Sequence, residues 1–177
     1  MRTYLPKKHR YPVNYLIIGW FAGFGLSIYY MTKTFVTIDA AFHLLLLIAI
    51  LATAIHALLF GIRHRKELTE LLFYNLVSNG LLGLGLMLLL NYHLAGNPHG
   101  EYHALTKDRH KAFSTFEDLR LEDGAYRYFG YVLNLDDPQE TGLMEAEAVE
   151  LEVADGLFGF KVLKGKRFID LRKKNDP

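Results

Sequence analysis

Two histidines inside an apolar segment are the first candidates for chemistry in this sequence. His43 and His56 lie thirteen positions apart in the run Ala40–Phe60, which contains no Lys, Arg, Asp or Glu. An ionisable side chain within a membrane segment is a candidate functional residue, and neutral imidazole is a ligand of haem iron. On an ideal helix the two rings would stand roughly 140° apart around the axis and about 20 Å apart along it, so they cannot bind the same metal ion.

Two interpretations of these histidines remain open. In the first, which we favour, both are neutral and hydrogen-bond to other helices, so that no cofactor is expected. In the second, each binds a separate haem b, and the protein is a redox or metal-binding membrane subunit. The second interpretation requires partner histidines from elsewhere, because the other two apolar segments contain none.

Four further histidines follow the last apolar segment at spacings of six, four and seven residues. Imidazole and carboxylate side chains together bind zinc or copper, and Glu101 lies among these histidines. The spacings match no compact metal-binding motif, so we interpret the segment as polar linker and predict no metal site. The four residues are His93, His99, His103 and His110.

Small and polar residues recur along one side of each apolar segment when it is drawn as a helix. Intervals of three, four or seven residues place side chains on the same helical face. Glycines let two helices approach closely, and Asn, Ser, Thr and His side chains hydrogen-bond across such an interface instead of facing lipid. We predict that these stripes pack the three helices together; the alternative is that one stripe binds another subunit. The residues are Gly19, Gly23, Ala49, Thr53, His56, Asn75, Ser78, Asn79 and Gly83.

Three uncharged apolar segments must position these side chains. They are Val13–Met31, Ala40–Phe60 and Leu71–Asn91. Each approaches or exceeds the ~20 residues that cross a hydrocarbon core about 30 Å thick. Backbone groups in lipid must be paired internally, and three segments cannot close a barrel, so each segment is predicted to be helical. The sequence therefore predicts an α + β membrane protein with a three-helix transmembrane domain over residues 13–91.

Basic residues near the segment ends set the predicted orientation. Seven of them lie in the tail 1–12 and in the loop between the second and third segments, whereas the loop between the first and second holds only Lys33. Cytoplasmic loops are enriched in Lys and Arg, so the N-terminus is predicted to be cytoplasmic and the C-terminal domain extracytoplasmic. In a Gram-negative bacterium this means an inner-membrane protein with a periplasmic domain. The seven residues are Arg2, Lys7, Lys8, Arg10, Arg63, Arg65 and Lys66.

The rest of the chain predicts a linker and a small β-rich domain. Residues 92–104 contain Gly, Asn, Pro and His, which is typical of a linker. Residues 105–177 contain apolar and alternating segments separated by the turn sequences DDPQETG and Asp-Gly, as expected for strands joined by turns. The predicted strands lie within Tyr126–Leu135, Leu143–Val153 and Leu157–Ile169.

This predicted domain is small. A unit of about 70 residues buries little apolar surface and is marginally stable alone, so either it leans on the membrane, its own helices or a partner, or it folds as a self-sufficient sandwich. Within its second strand the alternation of acidic and apolar residues slips at Ala148–Val149, which indicates either a β-bulge or a change of face there.

Several classes of function find no support in the sequence. The chain has no cysteine, which excludes disulfides and thiolate metal sites. It contains no glycine-rich phosphate-binding motif and no Gly-x-Ser-x-Gly motif. Residues up to Asn91 carry a net charge of +5 (eight Lys and Arg, three Asp and Glu), and the remainder carries −4 (twelve and sixteen). An acidic C-terminal domain argues against nucleic acid as a partner.

The sequence therefore predicts a non-catalytic accessory or structural subunit of a membrane protein complex, or a homo-oligomer. Its expected partners are membrane lipids and other membrane protein subunits or further copies of itself, in contact with both the helices and the outer domain. One alternative is the haem- or metal-binding redox subunit described above. A second alternative is a membrane-anchored module that binds or senses a ligand.

The orientation gives a direct prediction. Alkaline phosphatase, which is active only outside the cytoplasm, should be active when fused after Pro177 and inactive when fused in the loop at Arg63, because the basic residues retain that loop inside. Enzyme activity normalised to the amount of fusion protein measures the outcome. Activity at Arg63 together with inactivity at Pro177 would reverse the orientation.

Overall fold

The computed structural model describes most of the helical part and the two ends of the C-terminal part. The basic tail 1–12, His110 and the predicted strand Tyr126–Leu135 after its first residue lie outside the described residues, as does the start of the next predicted strand. The described ranges are 13–105, 111–112, 116–117, 121–126 and 147–169.

Three long apolar helices form the first part of the chain, as predicted. Helix α1 covers Val13–Met31 and helix α2 covers Ile38–Phe60. The third long helix, Arg65–His93, consists of α3 (Arg65–Asn75), one π-helical turn, and α4 (Leu81–His93). The three helices have 19, 23 and 29 residues and are long and apolar enough to span a membrane.

The third helix begins earlier than its apolar segment, whose predicted start is Leu71. Its first six residues, RKELTE, are polar, but Lys, Glu, Leu and Arg are good helix formers. Glu67 lies in the first turn, where a carboxylate interacts favourably with the helix dipole. Hydropathy identifies only the apolar part of a helix. The polar first turns of the third helix were therefore not included in the predicted segment.

Close approach of backbones packs α1 against the third helix. A Cβ atom at Gly23 would lie 2.6 Å from the carbonyl carbon of Leu81 and 2.8 Å from Cα of Leu82. One turn further along α1, the Ser27 hydroxyl donates a hydrogen bond of 3.1 Å to the Leu81 carbonyl oxygen. Hydrogen at the Gly23 position therefore permits a contact that any side chain would block.

Small residues of the third helix also accommodate α2. A Cβ atom at Gly80 would lie 3.0 Å from the Leu45 side chain, and one at Gly83 would lie 2.8 Å from the Ile48 side chain. Between Asn75 and Leu81 the helix makes the π-helical turn Leu76–Gly80. The three helices up to Leu90, without the residues that join α1 to α2, form one compact unit.

The second compact unit combines the segment Met31–Thr37 with the chain from Asn91 onwards. Its described part is a three-stranded antiparallel sheet in the order β1-β4-β5 and a short pair, β2 with β3. The strands are β1 (His99–Ala104), β2 (Lys111–Ala112), β3 (Phe116–Glu117), β4 (Ala148–Asp155) and β5 (Lys161–Ile169).

The segment between α1 and α2 is part of this sheet unit. Phe35 N–H donates to the Lys161 carbonyl oxygen at 2.8 Å, and Leu163 N–H donates to the Lys33 carbonyl oxygen at 2.9 Å. The Phe35 side chain joins the core formed by Leu151 and other apolar residues of the sheet. The compact unit therefore includes residues that precede α2 in the chain, as well as residues from Asn91 onwards.

Strand β1 occupies the second half of the predicted linker. Gly, His and polar residues over 99–104 gave no strand pattern, but β4 pairs with this segment in regular register, from His99 opposite Val153 to Ala104 opposite Ala148. Backbone hydrogen bonds to β4 therefore make this segment a strand although its composition is that of a loop. Such dependence on the neighbouring strand is common for β-strands.

Of the two interpretations of the slip at Ala148–Val149, the β-bulge is not found at that position. The register of β4 against β5 shifts between Glu152 and Val153, where Lys164 is the extra residue of β5. At the predicted position, Ala148 and Val149 are consecutive and both buried. The slip in the sequence pattern therefore reflects burial on both faces of the sheet rather than an inserted residue.

The contact at Gly23 gives the second prediction. Gly23→Ala should lower the free energy of unfolding of the purified protein in detergent by about 1–3 kcal/mol, because an added methyl group must displace the backbone at Leu82. Gly25→Ala is the matched control on the same helix, since nothing lies within 4 Å of a Cβ atom there. Equal effects of the two substitutions would contradict the packing described here.

Candidate functional site

A chain of hydrogen bonds joins polar side chains of all three helices. Asn75 Nδ2 donates to Thr53 Oγ1 at 3.0 Å, and Asn79 Nδ2 donates to Asn75 Oδ1 at 2.6 Å. The hydroxyl of Tyr15 donates to Asn79 Oδ1, while Thr53 Oγ1 donates to the Ala49 carbonyl oxygen at 2.7 Å. Four of the predicted interface positions, Ala49, Thr53, Asn75 and Asn79, are therefore linked with Tyr15 by contacts within one chain.

The remaining stripe residues also face neighbours in the same bundle. Gly19 is buried, and a Cβ atom there would overlap with the Ser78 side chain. Ser78 is itself fully buried. The His56 ring lies 4.6 Å from the Phe60 ring, one turn along α2. Gly23 and Gly83 pack against neighbouring helices as described above, whereas the ring contact of His56 is with a residue of its own helix.

His43 lies near the start of α2. Its Nδ1 atom lies 2.8 Å from the Asp39 carbonyl oxygen and 3.4 Å from Asp39 Oδ2. The ring is therefore engaged with the first turn of its own helix. His43 and His56 are thirteen positions apart in α2, which corresponds to about 20 Å along the axis of an ideal helix.

A second group of polar side chains surrounds Glu101 on strand β1. Glu101 Oε1 accepts hydrogen bonds from Lys161 Nζ at 2.8 Å and lies 3.1 Å from His99 Nε2, and Glu101 Oε2 accepts from the Tyr126 hydroxyl at 2.6 Å. His103 Nε2 lies 3.5 Å from Glu101 Oε2. We call these residues, with Asp123, the Glu101 cluster.

Asp123 orients the histidine of this cluster. Its Oδ2 atom lies 2.6 Å from His103 Nδ1, and its Oδ1 atom accepts a hydrogen bond from Ala125 N–H at 2.8 Å. These two hydrogen bonds, from the Ala125 backbone and then from His103, lower the pKa of Asp123. His103 is almost fully buried, so its ring is held between two carboxylates, with Nε2 directed towards Glu101.

The ionisation states of Glu101 and Tyr126 are fixed near neutral pH. Burial raises the pKa of Glu101, but hydrogen bonds from Lys161, Tyr126 and His99 outweigh it and lower the pKa from 4.5 to about 2. Burial and the adjacent carboxylate raise the pKa of Tyr126 to about 12. Glu101 is therefore a permanent anion and Tyr126 a permanent hydrogen-bond donor, whereas a general acid or base needs a pKa near the working pH.

The sequence analysis named three members of this cluster as possible metal ligands but did not connect them to Lys161, Tyr126 or Asp123. His99, Glu101 and His103 alternate along β1 and so share one face of the sheet. His93, which the sequence grouped with them, lies instead at the end of α4, with its ring 5.3 Å from that of Tyr92. Within the described residues, no three His, Cys, Asp or Glu side chains are arranged to hold a metal ion.

Comparisons of the chain with protein-family models, with curated proteins and with solved structures found no match.

The depressed pKa of Glu101 gives the third prediction. A carboxylate whose folded pKa lies below its unfolded value stabilises the protein above the unfolded pKa, and this contribution is lost as the pH falls towards the folded value. Wild-type protein should therefore exceed Glu101→Gln in free energy of unfolding by on the order of 2 kcal/mol at pH 7, after allowance for solvent screening. The difference should shrink between pH 4.5 and about 2.

Denaturant titrations at a series of pH values measure this difference. Glu122→Gln is the control, because Glu122 is exposed on the neighbouring turn. A difference for Glu101→Gln that stays constant from pH 7 to pH 2 would show that the stabilisation does not come from the charge.

Proposed function

We propose that the protein is a non-catalytic subunit of a membrane complex or homo-oligomer, anchored by three transmembrane helices and contacting partner subunits through its C-terminal unit. The single observation that carries this proposal is the internal use of the helical stripes. The small and polar residues that would otherwise bind another helix are engaged within the chain, so the three helices form a closed anchor.

Membrane insertion is supported by the surface that the helices leave uncovered. Large apolar side chains are exposed along their outer sides, and Leu58 has an exposed fraction of 83%. A continuous apolar surface of this extent is unfavourable in water, whereas lipid tails solvate it. Between the helices, Thr53, Asn75 and Asn79 hydrogen-bond to one another, as polar side chains in membrane helices do.

A recognition role is supported by the chemistry of the Glu101 cluster. Glu101 and Lys161 neutralise each other, and the pKa of Glu101, about 2, lies far from neutral pH. The described members of the cluster include no Ser, Thr or Cys that could act as a nucleophile. Hydrogen bonds within this group hold the surface of the sheet in one arrangement, which suits binding better than turnover.

The haem alternative gains no specific support, because the apolar segments Val13–Met31 and Leu71–Asn91 contain no histidine that could supply a second axial ligand within the bilayer. The alternative of a ligand-sensing module uses the same C-terminal unit. It differs from the favoured proposal in the chemical nature of the partner, which a cross-linking experiment distinguishes.

The proposal predicts where a partner protein cross-links. Tyr102 is exposed on β1, the edge strand of the described three-stranded sheet, with an exposed fraction of 57%. Benzoylphenylalanine in place of Tyr102 should give a discrete protein adduct on irradiation of native membranes, because edge strands and exposed aromatic residues are common contact sites. Gel mobility and mass spectrometry of the purified adduct identify the partner or a second copy of the chain.

Benzoylphenylalanine at Leu58 on α2 is the matched control and should form adducts with lipid but no discrete protein adduct. The same probe at Glu152, which is exposed on the adjacent strand, guards against an unfavourable angle at Tyr102. Protein adducts from Leu58 combined with none from the two sheet positions would overturn the proposal, since partner contact would then run through the helices.

A further inference from the structure

The turn between β4 and β5 carries two adjacent apolar side chains on its outer surface. Leu157 and Phe158 have exposed fractions of 55% and 45%. The turn is tight: Gly156 N–H donates to the Phe160 carbonyl oxygen at 3.2 Å, and Gly159 adopts a positive φ of 81°. Neither side chain can withdraw into the core without opening this turn, so the pair stays at the surface.

The side chain of Asn91 fixes the same turn from the other side. Asn91 Oδ1 accepts a hydrogen bond from Phe158 N–H at 2.8 Å, and Asn91 Nδ2 donates to the Phe160 carbonyl oxygen at 2.9 Å. Asn91 is fully buried, and a Cβ atom at Gly156 would overlap with its amide group. The amide thus satisfies both a donor and an acceptor of the turn.

Asn91 belongs to the last turn of α4, which ends at His93. If the third helix spans the bilayer, as proposed above, its final turn lies where hydrocarbon gives way to lipid headgroups. Leu157 and Phe158 are therefore held by direct hydrogen bonds to a residue at this boundary. The distance from the boundary is short because only the Asn91 side chain separates the helix from the turn.

The residues next to Asn91 have the chemistry of the headgroup region. Lys164 Nζ lies 3.8 Å from the centre of the Tyr92 ring and donates a hydrogen bond to the Tyr92 carbonyl oxygen. Lys33 Nζ lies 5.8 Å from the centre of the same ring. Tyr is enriched at membrane interfaces, and Lys there rests its alkyl chain on apolar groups while its ammonium group reaches the phosphates. Lys164 is the bulge residue of β5, and bulges redirect side chains.

We propose that Leu157 and Phe158 insert into the headgroup region of the bilayer and form a second, interfacial anchor beside the end of the third helix. This inference rests on the proposed transmembrane placement of that helix. Lipid fits this surface because Asn91 holds the turn that carries the apolar pair, and the next residue, Tyr92, carries the aromatic ring over which the two ammonium groups lie. Apolar, aromatic and cationic groups likewise follow one another from the hydrocarbon to the headgroups of a lipid bilayer.

Site-directed spin labelling of the full-length protein tests the inference. The chain has no cysteine, so Leu157→Cys, Tyr102→Cys and Leu47→Cys each provide one label site. The protein is reconstituted in vesicles of phosphatidylcholine and phosphatidylglycerol, and the collision rates of each label with oxygen and with a water-soluble nickel chelate are measured. The label at Leu157 should lie roughly 5–10 Å below the phosphates, the label at Leu47 deep in hydrocarbon, and the label at Tyr102 in water.

Measurements at the three label sites distinguish failure of the interfacial anchor from failure of the proposed function. The interfacial anchor is overturned if the label at Leu157 is as accessible to nickel as the label at Tyr102 while the label at Leu47 is shielded. This result does not contradict the proposed transmembrane helices. Access of nickel to Leu47 overturns the proposed function and the anchor with it. A label at Leu157 that neither reagent reaches is covered by protein and also overturns the anchor. Phe158→Cys repeats the measurement if the Leu157 variant does not fold.

Discussion

An amide side chain buried in an apolar helix must find its hydrogen-bond partners inside the protein, and the helical unit is organised around this requirement. Asn75 is fully buried. Its unsatisfied amide would cost several kcal/mol in an apolar environment. Thr53 and Asn79 satisfy it, and this brings α2 into register with the third helix. The glycines that surround these contacts then set how closely the backbones approach.

The helices and their packing faces could be predicted from the sequence because their causes are local. Uncharged runs of apolar residues fix the segments, and a spacing of four between Asn75 and Asn79 fixes a common face. Strand β1 had no such local cause. Its composition is that of a loop, and only pairing with β4 across about fifty residues of chain makes it a strand.

The Glu101 cluster and the Asn91 contact escaped prediction for the same reason. His103 and Asp123 are 20 residues apart, Glu101 and Lys161 are 60 apart, and Asn91 and Phe158 are 67 apart. None of these pairs belongs to one periodic segment, so no pattern along the chain relates them. The sequence did indicate that an apolar run ends at Asn91 and that Asp155-Gly156 forms a turn. It did not indicate that the Asn91 side chain hydrogen-bonds to this turn.

The segment between α1 and α2 imposes an order on how the protein is made. Phe35 and Val36, both buried, leave the ribosome roughly 125 residues before Lys161, whose carbonyl oxygen Phe35 binds. At a synthesis rate of ~5–20 residues per second this interval lasts roughly 6–25 s. During that time strand β5 has not been synthesised, so the side chains of Phe35 and Val36 remain uncovered between two helices that the proposed topology places in the membrane. This short loop is therefore a segment that a chaperone or the membrane-insertion machinery would bind during synthesis.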